Sequence, residues 1–382
     1  MKKLGVCVRY ITDNYGSMLQ LLALQKAIEK NDWSYEFIVY DKNNLKFILS
    51  NLDRVFNPYF FKGKMLQLKK NANLKRYPEI AKLNAIRLKA FSDFRTRCFK
   101  FYSPVYRGYK NLSEGSENYD AILVGSDQLW GPEGLKTNFY NLMFVKKNIK
   151  KIAYSTSFGV SQIPKKLEKK YADFLNRIEF ISVREISGQR IVKDVCGKDV
   201  PVVVDPVMLL SRTEWDILIP NECKEKKPYL LCYFLGSNPE HRRQAEIVKE
   251  RFGWDIVTLP HIDEVVEADL RFGDEQLYDV SPESFLNLIR NAECVLTDSF
   301  HGTAFCIINN KKFVVFDRFS DNDKSSRNTR IDTICTLFGL NKCRYSGNIE
   351  DNLTINIDYE SVNNILDGLR KDSLKFLADS LV

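Results

Sequence analysis

At 382 residues the chain exceeds one ordinary domain, and 44% hydrophobic residues provide apolar surface for two cores, which excludes a disordered or fibrous protein. The net charge of +8 is local: residues 62–100 hold twelve Lys and Arg against Glu79 and Asp93, an excess of +10, so the rest of the chain carries −2. Met1-Lys2-Lys3 starts as a signal peptide does, but the apolar run ends at Arg9 with no cleavage-type sequence, and no apolar stretch nears the ~18 residues of a membrane-spanning helix. Nine cysteines, several within apolar runs (Cys7, Cys232, Cys294, Cys306), read as reduced core residues, and no Cys-x-x-Cys offers a zinc site. A cytoplasmic protein without a metal is expected.

In chain order, residues 4–8 read as a short apolar strand and residues 10–16 as a turn-rich loop. Leu19, Leu22, Ala23 and Ala27 then form a helical stripe, and residues 36–40 a second strand. This β-loop-α-β order opens a parallel sheet. Asn14 and Gly16 suit a loop that turns sharply beside a ligand, and equally a plain strand-to-helix turn. The rhythm stops over residues 43–117, where Leu83, Ile86, Ala90, Phe94 and Cys98 keep helical spacing among basic residues, so an inserted helical region broken near Pro78 is expected. Its cationic face fits an anionic membrane surface, a diphosphate-linked substrate or plain solvent. Aromatic residues do not alternate with the basic ones, which argues against nucleic acid.

Alternation resumes with strands at residues 121–124, 152–155, 180–183 and 202–204. Each ends in polar or small residues: Asp127 and Gln128 after the first, residues 155–159 after the second, Arg184-Glu185 after the third, and an Asp205-Pro206 turn after the fourth. Polar, proline-bearing sequence over residues 211–227 marks a domain join. A second series follows, with strands at 229–234, 254–259, 294–297 and 313–316. The first leads to a helix near residues 240–252, whose His241 reads as solvated surface, and the second ends at His261. Ser281-Pro282 caps another helix. Asp298-Ser299-Phe300-His301-Gly302 joins the third strand to an apolar helix from Thr303. The expected architecture is α/β, with two Rossmann-like domains facing a cleft. Residues 1–210 form the first, with a basic helical insertion at about 43–117, residues 228–345 form the second, and residues 346–382 form a helical tail that packs back across the join. Two such domains bring the loops at Asn14, Asp127, Arg184, His261 and His301 together.

The segments Asp13-Asn14-Tyr15-Gly16, Val124-Gly125-Ser126-Asp127-Gln128-Leu129-Trp130, Ala153-Tyr154-Ser155-Thr156-Ser157-Phe158-Gly159, Ile181-Ser182-Val183-Arg184-Glu185, Val204-Asp205-Pro206 and Thr297-Asp298-Ser299-Phe300-His301-Gly302 resemble, in this order, the polysaccharide pyruvyl transferases. The resemblance covers residues 4 to about 340. It implies a GT-B-like pair of domains, the first on the acceptor side and the second on the donor side. It also implies transfer of a pyruvyl (carboxyethylidene) group from phosphoenolpyruvate, a co-substrate rather than a cofactor, to two hydroxyls of a sugar in a cell-surface polysaccharide precursor, lipid-linked or not. His301 and Arg184 are then donor-site residues. An Arg-Leu-His triplet of the family aligns with Ser299-Phe300-His301, which keeps the histidine and replaces the arginine, and Arg327 and Arg330 are candidates for the missing cation.

The chemistry fits these side chains. Phosphoenolpyruvate needs positive charge with directed donors, which arginine supplies, and a helix N-terminus at Gly302-Thr303 adds backbone N–H groups beside Ser299. His301 suits proton donor or phosphate ligand, while Asp298, Asp127 and Asp205 stand at strand ends as alternative bases. Asn14, Tyr15, Gly16, Asp127, Gln128 and His261 are the acceptor-side candidates. A nucleotide-sugar glycosyltransferase and a non-catalytic sugar-binding member are the competing readings. With a lipid-linked acceptor, the protein is expected at the inner face of the membrane through residues 62–100. Alanine at His301 or Arg184 is expected to abolish turnover with little change in thermal stability.

Overall fold

The computed structural model describes residues 2–41, 65, 68, 72, 74–132, 138–222, 227–261, 265–318 and 328–382. Arg327 and most of the expected insertion before residue 74 lie outside the described residues. From the N-terminus, β1 (Lys3–Cys7) leads through α1 (Tyr15–Glu29) to β2 (Ser34–Phe37). A two-stranded pair, β3 (Tyr40–Asp41) with β4 (Tyr106–Arg107), brackets α2 (Pro78–Cys98), and α3 (Tyr109–Gly115) follows. Next come β5 (Ala121–Val124), β6 (Lys150–Thr156), α4 (Glu168–Leu175), β7 (Phe180–Val183) and α5 (Ile186–Cys196). The first sheet is parallel throughout, in the order β2-β1-β5-β6-β7. The expected strand at 202–204 is reduced to a single bridge, Val183 to Val202, because the chain turns away at Asp205-Pro206.

Helix α6 (Arg212–Leu218), opened by a Ser211/Glu214 capping box, leads toward the second sheet. That sheet is built from β8 (Tyr229–Tyr233), α7 (Pro239–Phe252), β9 (Asp255–Thr258), β10 (Glu275–Gln276), α8 (Pro282–Asn291), β11 (Cys294–Thr297), α9 (Phe300–Ile308) and β12 (Phe313–Val315). It too is parallel, in the order β10-β9-β8-β11-β12. Two parallel sheets with helical crossovers are Rossmann-like, and their near-continuous apolar strands reflect burial on both faces. Helices α10 (Thr329–Leu337), α11 (Ile349–Thr354) and α12 (Tyr359–Leu381) complete the chain. The last returns to the first sheet: Ser373 Oγ accepts from the Val204 N–H at 3.0 Å, and Arg370 Nε donates to the Met208 carbonyl at 2.8 Å. No described helix is long and apolar enough to cross a membrane.

One apolar cluster runs between the sheets through α1, α2, α8, α9 and α12, and two others cover the outer faces. At its centre Tyr15 is stacked on Phe285 (centroids 4.8 Å apart, planes at 9°) and meets Phe91 and Tyr233. The face that α2 buries differs from the one its spacing predicts. Leu83 and Ile86 are exposed, whereas Asn84, Arg87, Phe91 and Phe94 are buried. Phe91 turns inward to meet Tyr15, and that rotation carries Arg87 into the space between the sheets. There its guanidinium donates to the carbonyls of Pro260, Leu277 and Tyr278 at 2.5, 2.6 and 3.4 Å. Arg97 pairs with Glu283 and Arg95 with Asp13, so much of the cationic charge on α2 is spent inside the molecule. Charge-assisted hydrogen bonds contribute ~1.5–3 kcal/mol each, so Arg87→Met is expected to lower the unfolding free energy by about 3 kcal/mol or more, read from urea titration.

Candidate active site

The polar groups converge on Asp205. Its Oδ1 accepts from the Val207 N–H at 3.1 Å and so caps the short turn Pro206–Met208. Its Oδ2 accepts from Arg184 Nη1 and Gln20 Nε2, both at 2.5 Å, and from Ser126 Oγ at 3.3 Å, while His301 Nε2 stands 3.6 Å away. These groups come from the end of β7, from α1, from the end of β5 and, from the second sheet, from α9. Burial alone would lift the Asp205 carboxyl, but the charges of His301 and Arg184 outweigh it and hold the group well below the ordinary carboxylate range. Burial likewise opposes the Arg184 charge, and Asp205 and Glu185 overcome it. Glu185 Oε1 in turn takes Ser157 Oγ and the Phe158 and Gly159 N–H groups at 2.8, 2.9 and 3.2 Å, fixing the small-residue loop after β6.

Phe300 forms the other wall. The Arg184 guanidinium lies 4.7 Å from its ring centroid and that of Arg330 5.9 Å, both within cation–π range. Burial, then the like charges of Arg184 and Arg318, push Arg330 down to about 9. Three guanidinium groups thus crowd the start of α9. Arg184 Nη2 and Arg330 Nε are buried without a hydrogen-bond partner. Groups arranged so call for an anion.

Gly16 and His301 touch across the domains: a Cβ on Gly16 would lie 2.2 Å from His301 Cγ. Gly16→Ala must therefore displace the imidazole, and a loss of turnover on the order of 10²-fold is expected, the cost of an ångström-scale misplacement, with the unfolding midpoint as control. Asp127 and Ser155, at the ends of β5 and β6, hold positive φ angles of 88° and 53°, strain that side chains rarely adopt and that gathers at functional sites.

A model of the polysaccharide pyruvyl transferase family matches residues 14–320, from the Asn14 loop past His301. The chain belongs to the polysaccharide pyruvyl transferase family. No curated protein matches the sequence. Among solved structures, UDP-GlcNAc 2-epimerase from Methanocaldococcus jannaschii aligns at 12% identity over 96% of this chain and 92% of its own, with a TM-score of 0.50. The S. aureus MnaA–UDP co-structure aligns at 11% identity over 96% and 88%, also at 0.50. At such identities the likeness establishes the fold, the GT-B arrangement of two Rossmann-like domains.

Within this member of the polysaccharide pyruvyl transferase family, Arg184 and His301 meet at Asp205, with Gly16 against the imidazole, Arg330 by Phe300 and Asp127 within electrostatic reach of Arg184, and other expected residues have different duties. Ser299 is the N-cap of α9, its Oγ accepting from the Gly302 N–H at 3.3 Å. The helix therefore starts at Phe300, two residues before the expected Gly302-Thr303 end, and Thr303 is wholly buried with its Oγ1 on the Ser299 carbonyl at 3.0 Å. Asp298, a candidate base, accepts from the Leu235 and Gly236 N–H groups at 2.6 and 2.8 Å and is buried, so it fixes the loop after β8. Asn14 caps α1, and Tyr15, 1% exposed, belongs to the packing between the sheets. Gln128 lies against Gly159, its amide nitrogen buried without a partner. His261 bonds Asp269 at 2.6 Å, and Asp269 bonds Arg242, a cluster confined to the second sheet. His241 is not solvated surface: it is 3% exposed, packed on Phe316 and 4.0 Å from Asp298.

Gln20, Ser126 and Arg318 went unmarked by sequence reasoning, and Asp205 was legible only as a strand-end carboxylate in a turn. Among the described residues no three His, Cys, Asp or Glu side chains gather to hold a metal ion.

Proposed function

We propose that the protein moves a pyruvyl group from phosphoenolpyruvate to two hydroxyls of one sugar, building a ketal on a cell-surface polysaccharide precursor. The observation that carries this reading is the pair Arg184 and Arg330 over Phe300 beside His301, with Arg318 on Asp298 close enough to act on Arg330, suited to a small donor bearing both carboxylate and phosphate. Arg330 supplies the cation that Ser299 lacks. His301, with Asp205 behind its Nε2, delivers a proton to the enol carbon, which becomes the methyl group. The adjacent carbon then takes the first sugar hydroxyl, whose proton passes to a base. Its bond to the phosphate oxygen breaks, inorganic phosphate leaves, and the second hydroxyl closes the ketal with loss of its own proton.

Of the three carboxylates, Asp298 and Asp205 are buried and held by the hydrogen bonds described above, whereas Asp127 accepts from the Gln128 N–H at 2.7 Å and, on its other oxygen, from Ser17 Oγ at a long 3.4 Å. Asp127 is half-buried beside Ser17, Gln20 and Arg9, and is the one that faces the acceptor side. Burial opposes its ionisation, but Arg9 and Arg184 hold it below the ordinary carboxylate value, so it is ionised at neutral pH and accepts the hydroxyl proton as the new bond forms. A lipid carrier on the acceptor, and with it contact with a membrane face, belongs to the same proposal.

The test uses isotopically labelled phosphoenolpyruvate with a panel of nucleotide-linked and lipid-linked sugars, and the expected products are labelled ketal and inorganic phosphate. Transfer of a sugar from a nucleotide donor would make the protein a glycosyltransferase. Calorimetric failure to bind either donor would make it a non-catalytic sugar-binding member.

A further inference from the structure

We propose that the open groove beyond the C-terminal ends of β1 and β2 is the acceptor subsite, and that it takes a pyranose carrying a phosphate ester. This assignment rests on the function proposed above and extends it to a place and a substrate class. The groove, about 630 Å³, is lined by Arg9, Tyr10, Tyr40, Phe139 and Tyr140 together with apolar residues such as Ile11 and Val105. None of these is among the residues expected to bind the acceptor.

Three observations carry the inference. The first is continuity with the reaction centre. Val8 and Arg9 also line a water-sized hollow of about 10 Å³, whose other walls include Ser17, Gln20, Ser126 and Asp127. Gln20 and Ser126 both hold Asp205, and Asp205 faces His301, so a short relay of hydrogen-bonded side chains joins the hollow's wall to the imidazole. Arg9 is near enough to act electrostatically on Asp127 in the hollow and on Tyr140 in the groove.

The second observation is the surface itself. Tyr10 is braced edge-on by Tyr102 at 5.4 Å, Tyr140 by Phe139 at 5.0 Å, and Phe139 rests on Tyr40 at 5.6 Å. A pyranose has an apolar face of ring C–H groups and a polar rim of hydroxyls. Rigid tyrosines match it, with a flat apolar body and a hydroxyl at the edge. Ile11 is 72% exposed and Val105 50%, apolar surface that a sugar face would cover.

The third is charge. Among the described lining residues Arg9 is the one cation, and Asp41 is already paired with Arg107 at 3.5 Å. Arg9 is exposed, and its single bond within the protein is a long one, Nη2 to the Gln128 carbonyl at 3.4 Å. A guanidinium at the junction of groove and hollow suits a phosphate ester on the sugar, whose ring then reaches toward Asp127 with its hydroxyls.

Saturation-transfer NMR tests this with glucose 1-phosphate, galactose 1-phosphate and the corresponding methyl glycosides as probes, on the full chain and on Tyr10→Ala, Tyr140→Ala and Arg9→Gln. Phosphoenolpyruvate binding is measured by calorimetry on the same samples. Ring-proton signals are expected from the sugar phosphates with the wild type, falling at least fivefold in each tyrosine variant. In Arg9→Gln the affinity for the sugar phosphates is expected to drop about tenfold, to that of the methyl glycosides, equivalent to ~1.4 kcal/mol. Phosphoenolpyruvate affinity should stay unchanged in all three, which also shows that they fold. Equal sugar signals in wild type and tyrosine variants would overturn the assignment, as would the absence of any signal from the wild type or loss of the sugar signals to UDP as the tighter occupant of the groove. If the sugars bind there but phosphoenolpyruvate does not bind the wild type, the proposed reaction falls and the sugar groove stands.

Discussion

Replacing His301 by alanine is expected to lower kcat for phosphate release from phosphoenolpyruvate by 10²–10⁴-fold, the usual worth of a positioned general acid, at saturating acceptor. The side chain is 6% exposed and has Asp205 3.6 Å behind its Nε2. Its ring is seated against Gly16, so few orientations are open to it. Alanine leaves Asp205 bonded to Arg184 and Gln20, so the thermal midpoint should move by only a few degrees. Because the loss is of a transition-state interaction, kcat and kcat/KM should fall together. A variant with wild-type kcat would remove His301 from the chemistry. A variant that loses phosphoenolpyruvate affinity with kcat intact would make it a donor ligand instead.

The second large effect is on stability. Asp205 and Arg184 have side chains 0% and 1% exposed, and removing either leaves an uncompensated buried charge, for which ~3–5 kcal/mol is the typical cost. Both Asp205→Ala and Arg184→Ala should therefore be strongly destabilised as well as inactive. For Arg184 this departs from the expectation of an unchanged thermal transition, since nothing in the local sequence shows that the guanidinium is sealed in with its partner. The pH dependence follows from the depressed Asp205 pKa. The stabilisation is complete above the unfolded carboxyl value of ~3.9 and is lost as pH falls from there toward the folded value. The stability gap between wild type and Asp205→Asn, measured by urea unfolding between pH 7 and pH 3, should hold steady down to about pH 4 and narrow below it. A gap that stays constant to pH 3 would show that the carboxylate charge is not what holds the site.

Much of the fold was legible because strand and helix periodicities are local. The run at 294–297 could only be a buried strand, and Ser281-Pro282 a helix start, whatever surrounded them. The site was legible where its residues sit at strand ends, as with Asp127, Arg184 and His301. What stayed hidden depends on partners distant in sequence. Gln20 is one polar residue in an apolar helix, and its task is set by a carboxylate 185 positions away. Ser299 stands where the family resemblance expects an arginine, but it caps a helix, and the guanidinium of Arg330, from a different element, lies by Phe300. Arg87 and His241 lie in charged runs that read as surface, yet both are buried because backbone carbonyls in one case and Phe316 in the other come from elsewhere. Tyr15 was read as facing a ligand, but its neighbours Phe91, Phe285 and Tyr233 come from three separate elements.

The hydrogen bonds from Arg87 to the Pro260, Leu277 and Tyr278 carbonyls also bear on how fast the enzyme turns over. A two-domain enzyme of this shape admits and releases ligands by hinge motion. Here a helix rooted beside the first sheet grips loops of the second, so opening must break three bonds at once and wet a guanidinium that was dry. For the proposed reaction, the residence time of the product is then expected to depend in part on a residue far from the ligands. Loosening that grip, as in Arg87→Met, is expected to speed release and weaken the hold on the donor, trading affinity for throughput from a position that active-site mutagenesis would pass over.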